Sequence, residues 1–206
     1  MNKIAKVIFL GESGVGKTSI LTRIIENKFD NDTINTMGID IKKKVYFNQY
    51  SNNKIKFNFI DTAGQERFLC LTKNYLHNSN IILFVFDDEK SFLKIEEKFI
   101  PLCENNLDLK KCILILIQSK SDLIINTSEN NLFHEGRKLS QKINAFFISV
   151  SSKDGNNINA LYDYICKESE KNINLLSNPK PKINLKNPNN TLNNISSFIK
   201  ILCPLF

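Results

Sequence analysis

GESGVGKTS, from Gly11 to Ser19, is the stretch that decides the fold of this chain. It matches G-x-x-x-x-G-K-[ST], a loop whose backbone N–H groups cradle phosphates while its lysine reaches the terminal phosphates and its hydroxyl reaches Mg²⁺. The apolar run Ile4–Leu10 before it predicts a buried strand, and the spacing of Ile20, Leu21 and Ile24 after it predicts a helix. A diphosphate would therefore sit on a helix N-terminus, where free N–H groups favour anions. Kinases and ATPases share this loop, so it does not by itself identify the class of protein.

Polar residues follow the ends of three more predicted strands. Asp61 ends one segment as a carboxylate that can hold a metal-bound water, Gly64 can offer its N–H to a γ-phosphate, and Gln65 can orient an attacking water. The other two segments end in Ser119, Lys120 and Asp122, and in Ser151, Ser152 and Lys153. Open α/β sheets bind ligands outside the carboxyl ends of their strands, so we expect all of these residues in one site.

Strand and helix patterns alternate along the chain. Apolar runs cover residues 4–10, 54–60, 81–86, 112–118 and 145–150, and the intervals between most of them are long enough for crossover helices. This alternation predicts a mainly parallel sheet covered on both faces. The more polar, alternating run 39–47 predicts an edge strand antiparallel to 54–60.

Taken together, these motifs resemble the Ras-superfamily GTPases and, within them, the Rab family. The resemblance runs from about Lys3 to about Lys171, and MGID from Met37 and AGQERF from Ala63 look like the Rab forms of the two switch segments. It implies a P-loop NTPase fold of the α/β class, with a doubly wound, mostly parallel six-stranded sheet and helices on both faces. It also implies a switch that binds GTP or GDP with Mg²⁺ and hydrolyses GTP to control vesicle-mediated membrane traffic.

The resemblance assigns a role to each candidate residue. Phe29 would pack edge-on against guanine, Thr18 and Thr36 would hold Mg²⁺, and Gln65, Lys17 and Gly64 would be catalytic. Asp122 would accept hydrogen bonds from guanine, and the loop from Ser151 to Lys153 would offer an N–H to its carbonyl. The whole nucleotide-binding set is Gly11, Ser13, Gly14, Val15, Gly16, Lys17, Thr18, Ser19, Phe29, Thr36, Asp61, Gly64, Ser119, Lys120, Asp122, Ser151, Ser152 and Lys153.

Two departures from the family pattern affect what can be expected of the site. Ser119 stands where the family usually has asparagine, and its shorter side chain is expected to be less able to reach both the base and the phosphate loop. In the trio that faces effectors, Ile41 and Ile60 replace aromatic residues and only Tyr75 remains aromatic. We therefore expect altered nucleotide affinity and cannot transfer effector identity from the family.

Composition divides the chain into a GTPase domain at residues 1–171 and a flexible basic tail at residues 172–206. The tail contains no acidic residue and carries +4 from Lys180, Lys182, Lys186 and Lys200, which leaves +3 of the net charge of +7 for the rest. This division argues against nucleic acid as a partner and favours an anionic membrane surface. The last four residues, Cys203 to Phe206, fit the C-a-a-X pattern for prenylation of Cys203, although Pro204 is a poor match.

The resemblance also implies partners and a location. An exchange factor, a GTPase-activating protein and effectors would bind the switch regions, and a prenyl-binding protein would solubilise the lipid. We expect a cytoplasmic protein that attaches reversibly to the cytosolic face of an intracellular membrane. Two alternatives remain open at this point: a prenylated scaffold that binds guanine nucleotide with a weak or absent hydrolytic cycle, and an ATP-using P-loop enzyme.

Overall fold

The fold is built on a six-stranded sheet in the order β2-β3-β1-β4-β5-β6. The computed structural model describes residues 2–31, 36, 38–64, 69–124 and 131–177. The strands are β1 (Asn2–Leu10), β2 (Ile39–Asn48), β3 (Asn53–Thr62), β4 (Ile81–Phe86), β5 (Ile113–Gln118) and β6 (Phe146–Ser149). Only the β2–β3 pair is antiparallel among these six strands. The predicted strands are confirmed to within two residues at each end.

Helices cover both faces of the sheet. They are α1 (Lys17–Glu26), α2 (Leu69–Leu76), α3 (Glu89–Lys94), a π-helical segment (Ile95–Phe99), α4 (Ile100–Glu104), α5 (Asn131–Lys142) and α6 (Ile158–Lys171). Short 3₁₀ turns occupy Leu109–Lys111, Ser121–Leu123 and Ile173–Leu175. One core cluster contains the apolar residues of α1 and α6, and the other contains those of α2 to α5. The doubly wound α/β fold predicted from the sequence is therefore confirmed.

The burial of each strand explains its sequence. All six residues of β4 are buried because helices cover this central strand on both sides, so its sequence IILFVF is continuously apolar. The edge strand β2 alternates between half-buried and exposed residues along most of its length. Within the described ranges, no helix is both long and apolar enough to cross a bilayer.

The packed chain continues past residue 171. Leu176 is 4% exposed and belongs to a core cluster, and the backbone of Ser177 pairs with that of Ile4 through hydrogen bonds of 2.8 and 3.1 Å. Residues 172–177 therefore belong to the folded unit. They pass beside the first half of β1, at the end of the sheet opposite the phosphate loop.

Candidate functional site

A cavity of about 300 Å³ opens at the carboxyl ends of β1, β3 and β5. Most of the predicted binding residues line it: Ser13, Gly14, Gly16, Lys17, Thr18, Ser19, Phe29, Thr36, Gly64, Ser119, Lys120, Asp122, Ser152 and Lys153. Gly11, Val15, Asp61 and Ser151 are not among the lining residues. Asp30, Asn31, Thr62 and Leu123 line it without having been predicted. Gln65 lies outside the described residues.

The phosphate loop joins β1 to α1 and closes tightly on its neighbours. A Cβ on Gly11 would lie 2.2 Å from the carbonyl oxygen of Val85, so only glycine allows β1 to leave the sheet so close to β4. Lys17 is 5% exposed, and its Nζ donates to the carbonyl oxygens of Gly11 at 2.9 Å and Glu12 at 2.6 Å. Burial lowers the pKa of Lys17 to about 8, although the nearby carboxylates of Asp61 and Glu12 favour its charged form. An anionic ligand beside it would favour the ammonium further.

An ion pair supports this loop from the side. Lys98 Nζ lies 2.9 Å from Oε1 of Glu12, and both side chains are largely withdrawn from solvent. Lys98 belongs to the π-helical segment Ile95–Phe99, a helix type that often occurs at functional sites. The phosphate-loop motif carries no signal for this contact, because the two residues are far apart in the sequence.

Three oxygen-bearing side chains meet where the fold would hold Mg²⁺. The Thr18 hydroxyl donates to Oδ2 of Asp61 at 2.5 Å, and the hydroxyl oxygens of Thr18 and Thr36 lie 2.7 Å apart. Asp61 is 1% exposed, burial raises the pKa of its carboxyl, and its Oδ1 is buried with no hydrogen-bond partner. An all-oxygen set with an unsatisfied carboxylate atom fits Mg²⁺. The described part of the chain contains no group of three or more His, Cys, Asp or Glu side chains suited to a metal.

The end of β3 lies against the phosphate loop at Gly64. A Cβ on Gly64 would lie 2.2 Å from both the carbonyl carbon of Glu12 and the nitrogen of Ser13. The neighbouring N–H of Ala63 donates to the carbonyl of Gly38 at 2.9 Å, which ties the two predicted switch segments together. Thr62, missed by the sequence analysis, donates from its hydroxyl to the carbonyl of Phe9 at 2.7 Å and so joins β3 to β1.

Ser119 reaches the phosphate loop. Ser119 is only 2% exposed, and its Oγ lies 2.6 Å from the carbonyl oxygen of Val15 and 3.1 Å from that of Phe86. The serine side chain therefore does reach the phosphate loop, and whether it can also serve the base stays a prediction. A short side chain is long enough because the two backbones are close: a Cβ placed on Gly16 would lie only 3.9 Å from Ser119 Cβ.

Side-chain hydrogen bonds also hold the other two loops of the site. Oγ of Ser151 donates to Oδ1 of Asp122 at 2.7 Å and accepts from the backbone N–H of Asp154 at 3.1 Å. Lys120 Nζ donates to Oδ2 of Asp87 at 2.6 Å. Ser151 thus orients Asp122, which itself lines the cavity.

The predicted effector trio is unevenly exposed. Ile41 is 43% exposed and Tyr75 is half-buried, whereas Ile60 is 2% exposed and belongs to the core. Ile60 therefore offers almost no surface to a partner, because its position in β3 is already covered.

Comparison with known proteins gives consistent matches across this fold. Residues 6–171 match the model of the Ras family. Ras-related protein RabC of Dictyostelium discoideum is 32% identical over 167 residues, which cover 80% of this chain and 83% of that protein. Ras-related protein SEC4 of Saccharomyces cerevisiae is 33% identical over 174 residues, covering 84% and 78%. The SEC4 protein of Candida albicans is 32% identical over 162 residues, covering 77% and 74%.

Proposed function

Since the chain belongs to the Ras family and is a small GTPase of the Rab type, we propose that it is a switch that binds GTP and GDP with Mg²⁺ to control vesicle-mediated membrane traffic. The observation that carries this proposal is the cavity lined by buried Lys17, by Thr18 and Thr36, and by Asp122, with the Asp61 carboxylate bonded directly behind Thr18. These groups suit phosphates, a divalent cation and a purine edge respectively.

The proposed chemistry is transfer of the γ-phosphoryl group of GTP to water. Lys17 and the Gly64 N–H would stabilise the charge on the phosphoryl oxygens, and Thr18 and Thr36 would hold Mg²⁺, which neutralises charge on the β- and γ-phosphates. Gln65 would orient the attacking water. The sequence motifs assign no arginine finger to this site. Intrinsic turnover is therefore expected to be on the order of 10⁻⁴ s⁻¹, and fast hydrolysis would need an activating partner.

The test of base recognition is Asp122→Asn. A carboxylate accepts from the ring N–H and the amine of guanine, whereas an amide can donate to the carbonyl that xanthine carries in place of that amine. We expect the variant to prefer XTP over GTP in competition binding. Asp163→Asn, an exposed change on α6, serves as the matched control and should keep the preference for GTP. Continued preference of Asp122→Asn for GTP would refute the assignment.

The test of the hydrolytic role is Gln65→Leu. Since Gln65 is proposed to orient water, the variant should bind GTP about as well as the wild type. It should hydrolyse GTP more slowly by roughly 10- to 100-fold, the loss expected when a reacting group is no longer held in position. Single-turnover assays measure this rate directly, and Gln141→Leu on the exposed side of α5 is the control. Equal rates in Gln65→Leu and wild type would reject the role.

We further propose the cellular setting. Exchange factor, GTPase-activating protein and effectors would engage the switch regions, while the lysines of the tail and a prenyl group on Cys203 would hold the protein reversibly on the cytosolic face of an intracellular membrane, with a prenyl-binding protein as solubiliser. Lipid mass on the C-terminal peptide tests the modification. Membrane retention of Cys203→Ser in cells would contradict it. The tail beyond Ser177 lies outside the described residues.

The two alternatives lose support. Family membership weighs against an ATP-using enzyme. The scaffold alternative drew on Ser119, whose hydroxyl nevertheless braces the phosphate loop through Val15. Nucleotide content after purification separates them: retained GDP supports the switch, an empty site the scaffold, and adenine nucleotide the ATP-using enzyme.

A further inference from the structure

Arg23 links α1 to the loop that follows β6. Its Nε donates to the carbonyl of Ser152 at 2.7 Å, its Nη2 to the carbonyl of Lys153 at 2.6 Å, and its Nη1 to the carbonyl of Asn27 at 3.0 Å. All three guanidinium nitrogens are therefore engaged with backbone oxygens. Two of these contacts cross 129 and 130 residues of sequence, and the phosphate-loop motif contains no signal for them.

The geometry of the peptide bond gives this contact a consequence for the cavity. In a planar trans peptide the C=O and the N–H point in opposite directions, so fixing the Ser152 carbonyl on Arg23 turns the Lys153 N–H away from Arg23. Ser152 and Lys153 both line the cavity. A cation bonded to the carbonyl also polarises the peptide and makes its N–H a stronger donor.

We propose that Arg23 is a positioning residue that orients the Ser152–Lys153 peptide to donate to the carbonyl at position 6 of guanine, and that it thereby limits the rate of nucleotide release. The proposal rests on the proposed binding of guanine nucleotide. It also assigns Arg23 a connecting role, because α1 begins at Lys17 and Thr18 and so carries the phosphate half of the site on the same helix. Release of the base and release of the phosphates would be mechanically coupled through Arg23.

The loop has other supports, so removing Arg23 should loosen it without unfolding it. Ser151 keeps its bonds to Asp122 and to the Asp154 N–H, its own N–H donates to the Asn156 carbonyl at 3.1 Å, and the Asn157 amide donates to the Ser149 carbonyl at 2.8 Å. These bonds do not involve the Ser152–Lys153 peptide. Arg23 also bonds the carbonyl of the next peptide, Lys153–Asp154, but the N–H of that peptide keeps its own bond to Ser151 Oγ. Among the contacts described for this loop, the Ser152–Lys153 peptide is held by Arg23 without such a second support.

The experiment compares release of three diphosphates from the full chain. 6-Thio-GDP weakens the acceptor at position 6 and keeps both donors that face Asp122, whereas IDP lacks the amine and keeps the carbonyl. The variants are Arg23→Met, which keeps the length and helix propensity of the side chain, and Arg23→Lys, which can reach only part of the carbonyl set. Lys138→Met, a change at an exposed helical cation that pairs with Glu135, is the control.

We expect Arg23→Met to release GDP faster by about 2- to 12-fold, the loss expected when one neutral hydrogen bond to the base is removed. The ratio of 6-thio-GDP to GDP release rates should fall toward one, Arg23→Lys should lie between, and the IDP to GDP ratio should stay at the wild-type value. If Arg23→Met only destabilised the protein, it would accelerate the release of GDP, IDP and 6-thio-GDP by the same factor. Both release-rate ratios would then keep their wild-type values, and the proposal would be overturned. Equal release of GDP and IDP from the wild type would instead overturn the proposed guanine recognition, and the role of Arg23 with it.

Discussion

The two halves of the site are held by different physical means. In the phosphate half, backbone meets backbone: a Cβ on Gly11 or Gly64 would approach neighbouring main-chain atoms to 2.2 Å. In the base half, side chains make the connections, as Ser119 does to Val15 at 2.6 Å and Ser151 to Asp122 at 2.7 Å. Contacts between main chains cannot be relaxed by a change of rotamer, whereas side-chain bonds can be lost one at a time. We therefore expect changes in the phosphate half to have large effects and changes in the base half to have smaller, stepwise ones.

Gly64→Ala is the most severe test of this contrast. The added methyl would collide with the backbone at Glu12 and Ser13, so the end of β3 must move away from the phosphate loop. A displacement of about 1 Å at a reacting centre costs on the order of 100-fold in rate, and we expect a loss of at least that size in single-turnover GTP hydrolysis. GDP affinity should change much less, since GDP has no γ-phosphate for Gly64 to contact.

A second glycine supplies the matched control. A Cβ on Gly136 of α5 would lie 2.7 Å from the ring of Phe147, so Gly136→Ala crowds the core away from the cavity. It should lower the melting temperature and leave hydrolysis per folded molecule unchanged. Equal losses of hydrolysis in the two variants would show that Gly64 acts through stability, and the contrast between the halves would fail at its strongest point.

Removal of Mg²⁺ should give the next largest effect. With the cation gone, the Asp61 carboxylate and the diphosphate would face each other without compensation, and GDP release should accelerate by roughly 10- to 100-fold, equivalent to about 1.4–2.8 kcal/mol. Stopped-flow release in excess EDTA measures it. Because the metal belongs to the phosphate half, the acceleration should be equal for GDP, IDP and 6-thio-GDP. A dependence on the base would mean that the two halves are not separable.

The sequence predicted the fold well because its determinants are local. The buried strand β4 is continuously apolar, the edge strand β2 alternates, and the glycine loop stands between a strand and a helix. The packing of residues 172–177 was missed, because this NINLLS segment is too short to show a periodic pattern and runs directly into a tail rich in Asn, Lys and Pro.

The site was predicted unevenly, for a reason that follows from the same contrast. Phosphate contacts come from consecutive backbone groups, so a short motif contains most of them. The supports of the base half come from residues distant in sequence: Arg23 reaches Ser152, and Ser119 reaches Val15 across 104 positions. A single sequence gives no pairing information of this kind, which is why Arg23 was overlooked and the contact of Ser119 with Val15 could not be assigned.

Ser119→Ala should have a smaller effect than either test of the phosphate half. A hydroxyl carries one hydrogen, so Ser119 donates to only one of the Val15 and Phe86 carbonyls at a time, and the shorter distance favours Val15. Losing that bond removes about 0.5–1.5 kcal/mol. GDP release should become faster by roughly 2- to 12-fold at the tenfold per 1.4 kcal/mol conversion, with no change in the ratio of 6-thio-GDP to GDP release.

Ser119→Asn should act in the opposite direction by a similar amount. The longer amide has two donor hydrogens, so it can keep a bond to the Val15 carbonyl and offer a second to the guanine, which the serine hydroxyl has no hydrogen left to do. One added hydrogen bond predicts that GDP and GTP are both released about 2- to 12-fold more slowly. Release kinetics with both nucleotides measure the effect. Unchanged or faster release from Ser119→Asn would show that the serine already satisfies the base. The base half would then lack no hydrogen bond that asparagine could add, and the contrast between the two halves would weaken.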